Sequence, residues 1–599
     1  MDERWMIHTK KLDFDEFSKE FNISKPLARI IRNRGLTTKD EFKRYLSDDL
    51  SLLYDPFLLK DMDKAIDYII KAMEEKKKIR VVGDYDVDGV CSGFILTNSL
   101  KKLGADVSFT VPDRIIDGYG INERIIDVAK EDGIELIITC DNGIAAKNQL
   151  DYALKLGIDI IVTDHHEVPF VMENDEKKYV IPNALAVVDH KRKDCNYPFK
   201  ELCGAAIAFK VIIALCEKMD TDEKLKEEIF NLNLIFASIA TIADIVPLKD
   251  ENRIIVKNGL KRIKKSNNKG LDALIDIYNL REKDIGSYHI GFIIGPTINA
   301  AGRLKNAELA FELFSTDDYI KAKEIGMHLK TLNDERKEMT INGTYEGIIK
   351  ADERIKSDDV LVVYLGDIHE SVAGIVAGKL KEKYYRPVFV LTNTESFYKG
   401  SARSIEGFDI FEEMTKANSK YKEEKNEELI YKFGGHKMAA GLTIKKDKLD
   451  DFIKYMNLKS LDKDILIKNI WIDFKLPFEY ISEDFINELK KIEPCGAENE
   501  KPQFAEVITH ISSLKVFGEN KNVISLKLKN ESGYTMNATI FEKEEEFFDK
   551  IKKKYGDNVI DGMRSFMGED INLKIIYYPE INEYNNKKYI KVVIKNYSW

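Results

Sequence analysis

The sequence predicts a multidomain α/β protein with a doubly wound parallel-sheet domain, a long linker helix, a second smaller α/β domain and a C-terminal β-barrel. From about residue 79, short apolar runs alternate with longer amphipathic stretches, which is typical of parallel strands connected by helices. A long charged helical stretch separates this region from a second, shorter alternation. From about residue 505, apolar and polar residues alternate one by one, which indicates half-buried strands.

The first domain is expected over residues 76–305, after a helical lead-in at residues 1–75. Thr38 and Glu41 in the lead-in have the spacing of a capping box at a helix start. The apolar runs of the first domain are four or five residues long, which is the usual length of a buried strand. These predicted strands are Ile79–Val82, Val107–Val111, Leu136–Thr139, Ile158–Val162 and Leu185–Val188.

The rest of the chain is divided in the same way. Residues 306–350 are expected to form the connecting helix, residues 351–460 the second α/β domain, and residues 461–504 a bridging segment. Residues 505–599 are expected to form a small β-barrel, and the OB-fold is the commonest such module that binds single strands. The strands expected in the second domain are Val360–Leu365 and Pro387–Leu391.

Composition indicates a folded cytoplasmic enzyme. The 599 residues are 44% hydrophobic and 33% charged, which is ordinary for a folded protein with several cores. The six cysteines show no C-x-x-C pair, and no apolar run approaches the ~18 residues of a membrane span. The net charge of −10 does not exclude a nucleic-acid partner, because metal-binding carboxylates contribute to it.

Clusters of acidic and histidine side chains follow three of the predicted strands, and a further Asp stands in an apolar context. The carboxyl ends of strands in an open α/β sheet meet at one edge, so these clusters should converge. Close carboxylates repel one another and raise one another's pKa, a conflict that divalent cations remove. Helix capping by each Asp alone would have to coincide four times, and no Glu closes an EF-hand loop. The candidates are Asp84, Asp86, Asp88, Asp141, His165, His166 and Asp244.

Four of these motifs, in this order, resemble those of the DHH phosphoesterase superfamily. They are Asp84–Gly89, Asp141–Gly143, Asp164–His166 and Ala243–Leu248. Further segments are similar to the bacterial RecJ exonuclease branch of that superfamily, and the similarity runs nearly from end to end. These segments are Val111–Arg114, Gly118–Gly120, Asn299–Arg303, Gly400–Ser404, Phe433–His436 and Leu489–Phe504.

The resemblance implies a DHH domain, a DHHA1 domain and an OB-fold domain, with two divalent cations, manganese preferred or magnesium. It implies Asp141 as the bridge between the ions, and His166 and Arg303 as further catalytic residues. Val82 stands where many superfamily members have a histidine, so one metal site should depend more on Asp84. The implied ligands are Asp84, Asp86, Asp88, Asp141, His165 and Asp244.

The resemblance also implies a pocket for a terminal 5′ phosphate. An Arg fork and a hydroxyl suit a phosphate monoester. Tyr119 stands between two glycines, where it either stacks on a base or simply packs. The residues implied for the pocket are Arg114, Ser401 and Arg403, and those for the path to the scissile phosphate are Arg303, His369, Gly434, Gly435 and His436.

The function that this resemblance implies is 5′→3′ degradation of single-stranded DNA to 5′ mononucleotides, in recombination and repair. Single-strand-binding protein and a RecQ-type helicase are the implied partners, and the enzyme is expected to be a monomer. Two alternatives remain open from the sequence. One is a phosphodiesterase that acts on short oligonucleotides or cyclic dinucleotides, and the other is a non-catalytic replication scaffold.

Overall fold

A computed structural model describes residues 3–113, 117–173, 176–304, 307–556, 571–584 and 587–599. The chain divides into two compact units. Most of the first unit is Leu53–Val246 and Ile255–Lys468, and the second unit is Trp5–Leu52, Pro247–Ile254 and Asn469–Trp599. Among the described residues, we find no helix with the length and hydropathy needed to cross a membrane.

The first sheet of unit one has five strands, all parallel. Except for the partly buried edge strand Val107–Thr110, the strands are short, rich in β-branched residues and largely buried, which suits a sheet covered by helices on both faces. The five predicted strands and their parallel arrangement are confirmed. In spatial order the strands are Val107–Thr110, Ile79–Val82, Leu136–Cys140, Asp159–Thr163 and Ala186–Val188.

Helices surround this sheet. Val87–Lys102 is buried along most of its length and packs against Gly204–Lys218 and Glu223–Ala243. A separate two-stranded hairpin, Phe170–Glu173 with Glu176–Tyr179, follows the histidine cluster. The other helices of this part of the chain are Met62–Glu74, Glu123–Glu131, Lys147–Lys155, Asp250–Arg262, Lys269–Ile277, Ser287–His289, Gly295–Leu304 and Glu308–Ser315, with a π-helical turn at Ile290–Ile294.

The expected single helix over 306–350 is two helices in the structure. The first helix ends at Ser315. Asp318 then caps the long helix Tyr319–Arg354 by accepting hydrogen bonds from two backbone N–H groups. At 36 residues this helix is ~54 Å long. The break has a local cause, because Asp at an N-cap satisfies donors that the helix itself leaves unpaired.

The second sheet of unit one has five strands with mixed directions. Only Leu361–Tyr364 and Val388–Asn393 are parallel, and the other neighbours are antiparallel. Separate hydrophobic clusters lie on the two faces of this sheet. The remaining strands are Phe397–Arg403, Ala439–Lys445 and Lys432–His436, and the helices are Glu370–Tyr384, Ile410–Lys425 and Leu449–Met456.

The second unit contains a closed five-stranded barrel, as predicted. The pairing of Asn572–Tyr584 with Phe504–Phe517 closes the barrel, and the helix Glu544–Tyr555 precedes Asn572–Tyr584 in the chain. The other barrel strands are Val523–Asn530, Thr535–Ile540 and Lys587–Ser598.

The N-terminal segment is not wholly helical, which corrects the prediction for residues 1–75. Glu3–Ile7 is a strand that pairs with Lys468–Ile472. The capping box at Thr38 is confirmed. The helices Phe14–Glu20, Lys25–Asn33, Lys39–Leu46 and Glu483–Leu489 share one hydrophobic cluster with the barrel.

A buried arginine connects distant parts of the second unit. The Arg253 guanidinium donates to the backbone carbonyl of Tyr45 and to those of four consecutive residues, Lys491 to Pro494, at 2.8–3.2 Å. Its Cζ lies 3.9 Å from the centroid of the Tyr45 ring. Because all its partners are neutral carbonyls and a π face, Arg253 stabilises backbone geometry rather than an ion pair.

Candidate active site

The carboxyl edge of the first sheet brings the three sequence clusters together with Asp244. Within each of three groups of side chains, the candidate ligand atoms all lie within 4.8 Å of one another. Two of the groups have no member in common, so the arrangement offers two neighbouring cation positions. The groups are Asp84, Asp86 and Asp141; Asp88, His165 and Asp244; and Asp141, His165 and His166.

Helix starts hold Asp86 and Asp88 in place. Asp86 is the N-cap of Val87–Lys102, and its Oδ1 accepts from the N–H groups of Asp88 and Gly89 at 2.9 and 3.1 Å. Capping, set aside in the sequence analysis as an explanation of the whole set, is therefore one of the roles of Asp86. The two oxygens of Asp88 accept from Gly204 and Ala205 at 2.6 and 2.7 Å, at a helix N-terminus whose dipole favours an anion.

Asp141 and Asp244 occupy positions that cost folding stability. Asp141 has a φ of +60°, and Ile245, directly after Asp244, also has a φ of +60°. Such angles are uncommon for non-glycine residues and costly for a β-branched one. Asp244 also occupies the C-terminal end of Glu223–Ala243, where the helix dipole disfavours a carboxylate. Both positions indicate a functional demand for these side chains.

Burial and mutual repulsion raise the pKa values of the clustered carboxyl groups. Burial and then the charge of Asp86 raise the pKa of Asp88 to about 6 and that of Asp84 well above its usual range. Burial and the charges of Asp88 and Asp86 raise the pKa of Asp244 to about 8 and also raise that of Asp141. Oδ1 of Asp84 is buried and has no hydrogen-bond partner among the residues that the structure describes. Carboxylate oxygens are hard donors, and a divalent cation would relieve the repulsion between these buried groups.

The two histidines of the cluster differ in protonation. Burial and the neighbouring His166 lower the pKa of His165 to about 3, so His165 is neutral and its nitrogen is free to act as a ligand. Its Nε2 lies 3.0 Å from Oδ1 of Asp141. Burial opposes the ionisation of His166, but a 2.8 Å hydrogen bond to Asp164 and nearby carboxylates raise its pKa to about 9. His166 is therefore a cation at neutral pH.

The Tyr119 hydroxyl is fixed beside the cluster. It donates to the backbone carbonyl of Asp141 at 2.8 Å, and its ring meets the His166 ring edge-on at a centroid distance of 5.6 Å. The residue is nevertheless 53% exposed. Tyr119 therefore packs in the site through its hydroxyl while part of its ring stays open to a ligand.

A polar cavity of about 380 Å³ lies beside the metal-binding loop, Asp84–Asp88, and is lined by two guanidinium groups. Arg303 donates to the carbonyl of Ser371 at 2.7 Å, and Arg403 donates to Oγ of Ser401 at 3.2 Å. Burial alone lowers the pKa of Arg403, and no carboxylate among the described residues lies within ion-pair distance of it. A partly buried guanidinium that no described carboxylate pairs with suits an anionic ligand. Tyr85, Thr392, Lys399 and Thr443 also line the cavity.

The other predicted residues are distributed more widely. His369 caps Glu370–Tyr384, and its Nδ1 lies 2.6 Å from Oγ of Ser371. Gly434, Gly435 and His436 lie on the exposed edge strand of the second sheet and are not among the residues that line the cavity. Arg114 lies outside the described residues.

Sequence reasoning missed several residues that hold the site in shape. Asp164 accepts from the N–H groups of Ile144, His165 and His166. The side chain of Asn142 donates to two strand-end carbonyls, and that of Asn299 accepts from the N–H of Val87 at 3.0 Å. Asp164 and Asn142 stand inside the quoted motifs, which is the signal that was available for them.

The comparisons with known proteins agree with this geometry. Residues 78–237 match the model of the DHH family N-terminal domain, residues 357–459 the DHHA1 domain, and residues 472–596 the RecJ OB domain. The single-stranded-DNA-specific exonuclease RecJ of Bacillus subtilis is 34% identical over 602 residues, which cover 99% of this chain and 70% of that protein. The chain belongs to the RecJ family.

The single-stranded-DNA-specific exonuclease RecJ of Haemophilus influenzae is 30% identical. The matched region covers 95% of this chain and 95% of that protein. The crystal structure of RecJ from Thermus thermophilus in complex with Mn²⁺ has a TM-score of 0.79, with 25% identity over 100% of this chain and 79% of that one. RecJ membership confirms the predicted combination of DHH, DHHA1 and OB domains. Together with the acidic groups, it identifies this edge of the sheet as a divalent-metal site.

Proposed function

We propose that this protein is an exonuclease that degrades single-stranded DNA from the 5′ end and releases 5′ mononucleotides. One observation supports this most directly. Tyr85 lines the guanidinium cavity, while its chain neighbours Asp84 and Asp86 belong to a metal-ligand group. A terminal phosphate bound in the cavity therefore lies beside the metal cluster, and cleavage there removes the terminal nucleotide.

Two cation positions follow from the ligand groups. Asp84, Asp86 and Asp141 would hold one ion, Asp88, His165 and Asp244 the other, with Asp141 shared. When bound, such ions lower the pKa of a water molecule and neutralise charge on the phosphate. The imidazole of His165 among carboxylates favours manganese, with magnesium as the alternative.

The side chains of the protein supply the remaining chemistry. His166, whose hydrogen bond to Asp164 raises its pKa and orients its ring, donates a hydrogen bond to a nonbridging phosphate oxygen or a proton to the leaving oxygen. Arg303 stabilises the phosphate charge from the cavity side. Both groups are positioned before the substrate binds, because other hydrogen bonds already hold them.

We propose that the cavity sets the 5′→3′ direction of degradation. Arg403 and Ser401, with Arg114, are proposed to bind the terminal 5′ phosphate, since a fork of donors matches a phosphate monoester. His369 and the backbone of Gly434, Gly435 and His436 are proposed to contact the strand near the scissile bond. The barrel is the second single-strand-binding element, and the stacking of Tyr119 on a base is retained as a proposal.

The biological setting is proposed from the same assignment. We place the activity in recombination and repair in the cytoplasm, by a monomer that acts with single-strand-binding protein and a RecQ-type helicase. The proposed domain boundaries follow residues 75, 305, 350, 460 and 504.

The test compares a long 5′-phosphorylated single strand with a dinucleotide, in Mn²⁺ and then Mg²⁺. We expect release of a 5′-terminal label as a mononucleotide before any 3′-terminal label. Asp141→Ala should abolish this release, whereas Asp151→Ala, which removes a surface carboxylate paired with Lys147, should not. Hydrolysis of the dinucleotide alone would favour the short-substrate phosphodiesterase, and first release of the 3′ label would refute the polarity. Activity that survives in Asp141→Ala would refute the site.

A further inference from the structure

Two exposed aromatic side chains lie stacked on the first unit. Tyr288 and Phe292 are 65% and 69% exposed, and their ring centroids are 5.1 Å apart with planes inclined by 25°. They are one turn apart, and Phe292 stands within the π-helical turn Ile290–Ile294. Turns of this type are rare and occur frequently at functional sites. A pair of large rings left in water likewise indicates a ligand.

The helical turn that carries the aromatic pair packs against the residues that precede a candidate metal ligand. A Cβ added at Gly291 would be 3.7 Å from Cγ2 of Ile242, and one at Gly295 would be 3.4 Å from Cβ of Ala243. Ile242 and Ala243 are the two residues that precede the candidate ligand Asp244. The helical turn that carries Phe292 is therefore packed against the end of the helix that is followed by Asp244.

The same helical element continues to the phosphate cavity. In Gly295–Leu304, Asn299 accepts a hydrogen bond from the metal-binding loop. A Cβ added at Gly302 would be only 2.1 Å from the carbonyl oxygen of Tyr85, so the backbones are in close contact. Arg303 lines the cavity itself. The element thus runs from the cavity, past the metal cluster, to the aromatic pair.

The charge near the pair is mixed. Lys283 is exposed a few residues before Tyr288, but the exposed acids Glu282 and Asp284 flank it. We therefore do not expect electrostatic attraction of the phosphate backbone to contribute to strand binding at this pair. Stacking of bases on aromatic rings does not need positive charge, and it accepts every base because each has a π face.

We infer that Tyr288 and Phe292 are a stacking platform for nucleobases of the single strand on the 3′ side of the scissile phosphate. This inference rests on the proposed exonuclease function and names residues that set the affinity for a long strand. The bases of a duplex are already stacked and paired, so the platform also favours single strands.

The experiment uses Phe292→Leu and Tyr288→Leu in the full chain, with Phe292→Tyr and Tyr288→Phe as conservative variants. Tyr345→Leu is the matched control, since Tyr345 is a 70% exposed tyrosine on the linker helix. On 5′-phosphorylated 20-mers we expect the Leu variants to raise KM by about 5- to 100-fold, the range that loss of one stacked base gives. We expect kcat to stay within about 2-fold, KM on a trinucleotide to stay unchanged, and the conservative and control variants to behave like the wild type.

Abasic 20-mers provide a signature that a merely structural role would not produce. Abasic positions beyond the third nucleotide from the 5′ end should raise KM for the wild type and have little effect on the Leu variants, because the partner ring is already gone. The slope of log KM against log salt concentration should be the same for the wild type and the Leu variants, since the substitutions remove no phosphate contact.

An unchanged KM on 20-mers, a proportional rise on trinucleotides, or a full abasic penalty in the Leu variants would each overturn the inference. Strand binding measured by fluorescence anisotropy in EDTA should show the same contrasts without hydrolysis. A wild type that binds strands with these contrasts but does not hydrolyse them would contradict the proposed function alone.

Discussion

Replacing Asp244 by Asn should stabilise the protein when no metal is present. Its pKa is raised from 3.8 to about 8, and its side chain is only 27% exposed. A carboxyl group with a raised folded-state pKa adds no penalty below pH 3.8, costs stability progressively as pH rises to about 8, and costs most above it. pH 7 lies ~3 units above the usual pKa of 3.8. Keeping the buried carboxyl protonated at that pH costs about 4 kcal/mol of folding free energy. Asn avoids this penalty.

The assay is thermal unfolding in EDTA between pH 5 and 8, with and without added Mn²⁺. In EDTA the midpoint of Asp244→Asn should exceed that of the wild type by ~8 °C or more at pH 7, given ~2–4 °C per kcal/mol for a domain of this size. The gain should shrink towards pH 5. With Mn²⁺ the order should reverse, because the wild type binds the ion more tightly.

Asp189→Asn is the matched control. Burial and then the charge of Asp164 raise the pKa of Asp189 to about 8 as well, but Asp189 belongs to none of the ligand groups. Its Oδ1 accepts from the N–H of Lys191 at 2.7 Å, a bond that Asn preserves. This variant should gain stability in EDTA and keep the full Mn²⁺ response. If Asp244→Asn gains nothing at pH 8 relative to pH 5, burial and repulsion by Asp88 and Asp86 do not raise the pKa of Asp244.

Three further substitutions test other parts of the structure. Gly302→Ala should lower kcat by ~100-fold or more, because its Cβ would displace the carbonyl of Tyr85 and the metal-binding loop; Gly378→Ala, where the structure leaves open space, should be nearly neutral. Arg403→Gln should reduce the preference for 5′-phosphate over 5′-hydroxyl ends by about 10- to 100-fold in kcat/KM, the range of a charge-assisted hydrogen bond. Arg253→Met should destabilise the second unit by ~4 kcal/mol or more, measured as a lower unfolding midpoint, since buried carbonyls lose their donor.

Each of these has a result that would contradict it. A Gly302→Ala enzyme with wild-type kcat would mean that the loop does not need its present position. Equal losses on both types of 5′ end in Arg403→Gln would exclude a terminal-phosphate contact. An unchanged midpoint in Arg253→Met would mean that water replaces the guanidinium.

The parallel sheet and its functional edge could be predicted from sequence because their signals are local. The run Ile79–Val82 is mostly β-branched and is followed by Gly83 and Asp84, and a similar run comes directly before Asp141. Strand-end chemistry and sheet topology then place the carboxylates together without any knowledge of contacts. The family resemblance added the roles of the cavity arginines, which no local pattern specifies.

What could not be predicted depends on partners distant in the chain. Glu3–Ile7 is a strand because it pairs with residues more than 460 positions later, and nothing nearby indicates this. The hydrogen bonds from Gly204 and Ala205 to Asp88 are equally remote. The directions of the strands in the second sheet also depend on tertiary pairing rather than on the apolar pattern.

The hydrophobic cluster shared by the N-terminal helices and the barrel has a consequence for synthesis on the ribosome. Leu27, Ile30 and Phe42 are fully buried in that cluster, yet the strand that begins at Phe504 is translated more than 450 residues later. At 5–20 residues per second, these apolar side chains wait ~25–90 s for their partners. These helices thus leave the ribosome long before the barrel strands with which they pack, and a nascent chain of this protein is expected to be a client for chaperones.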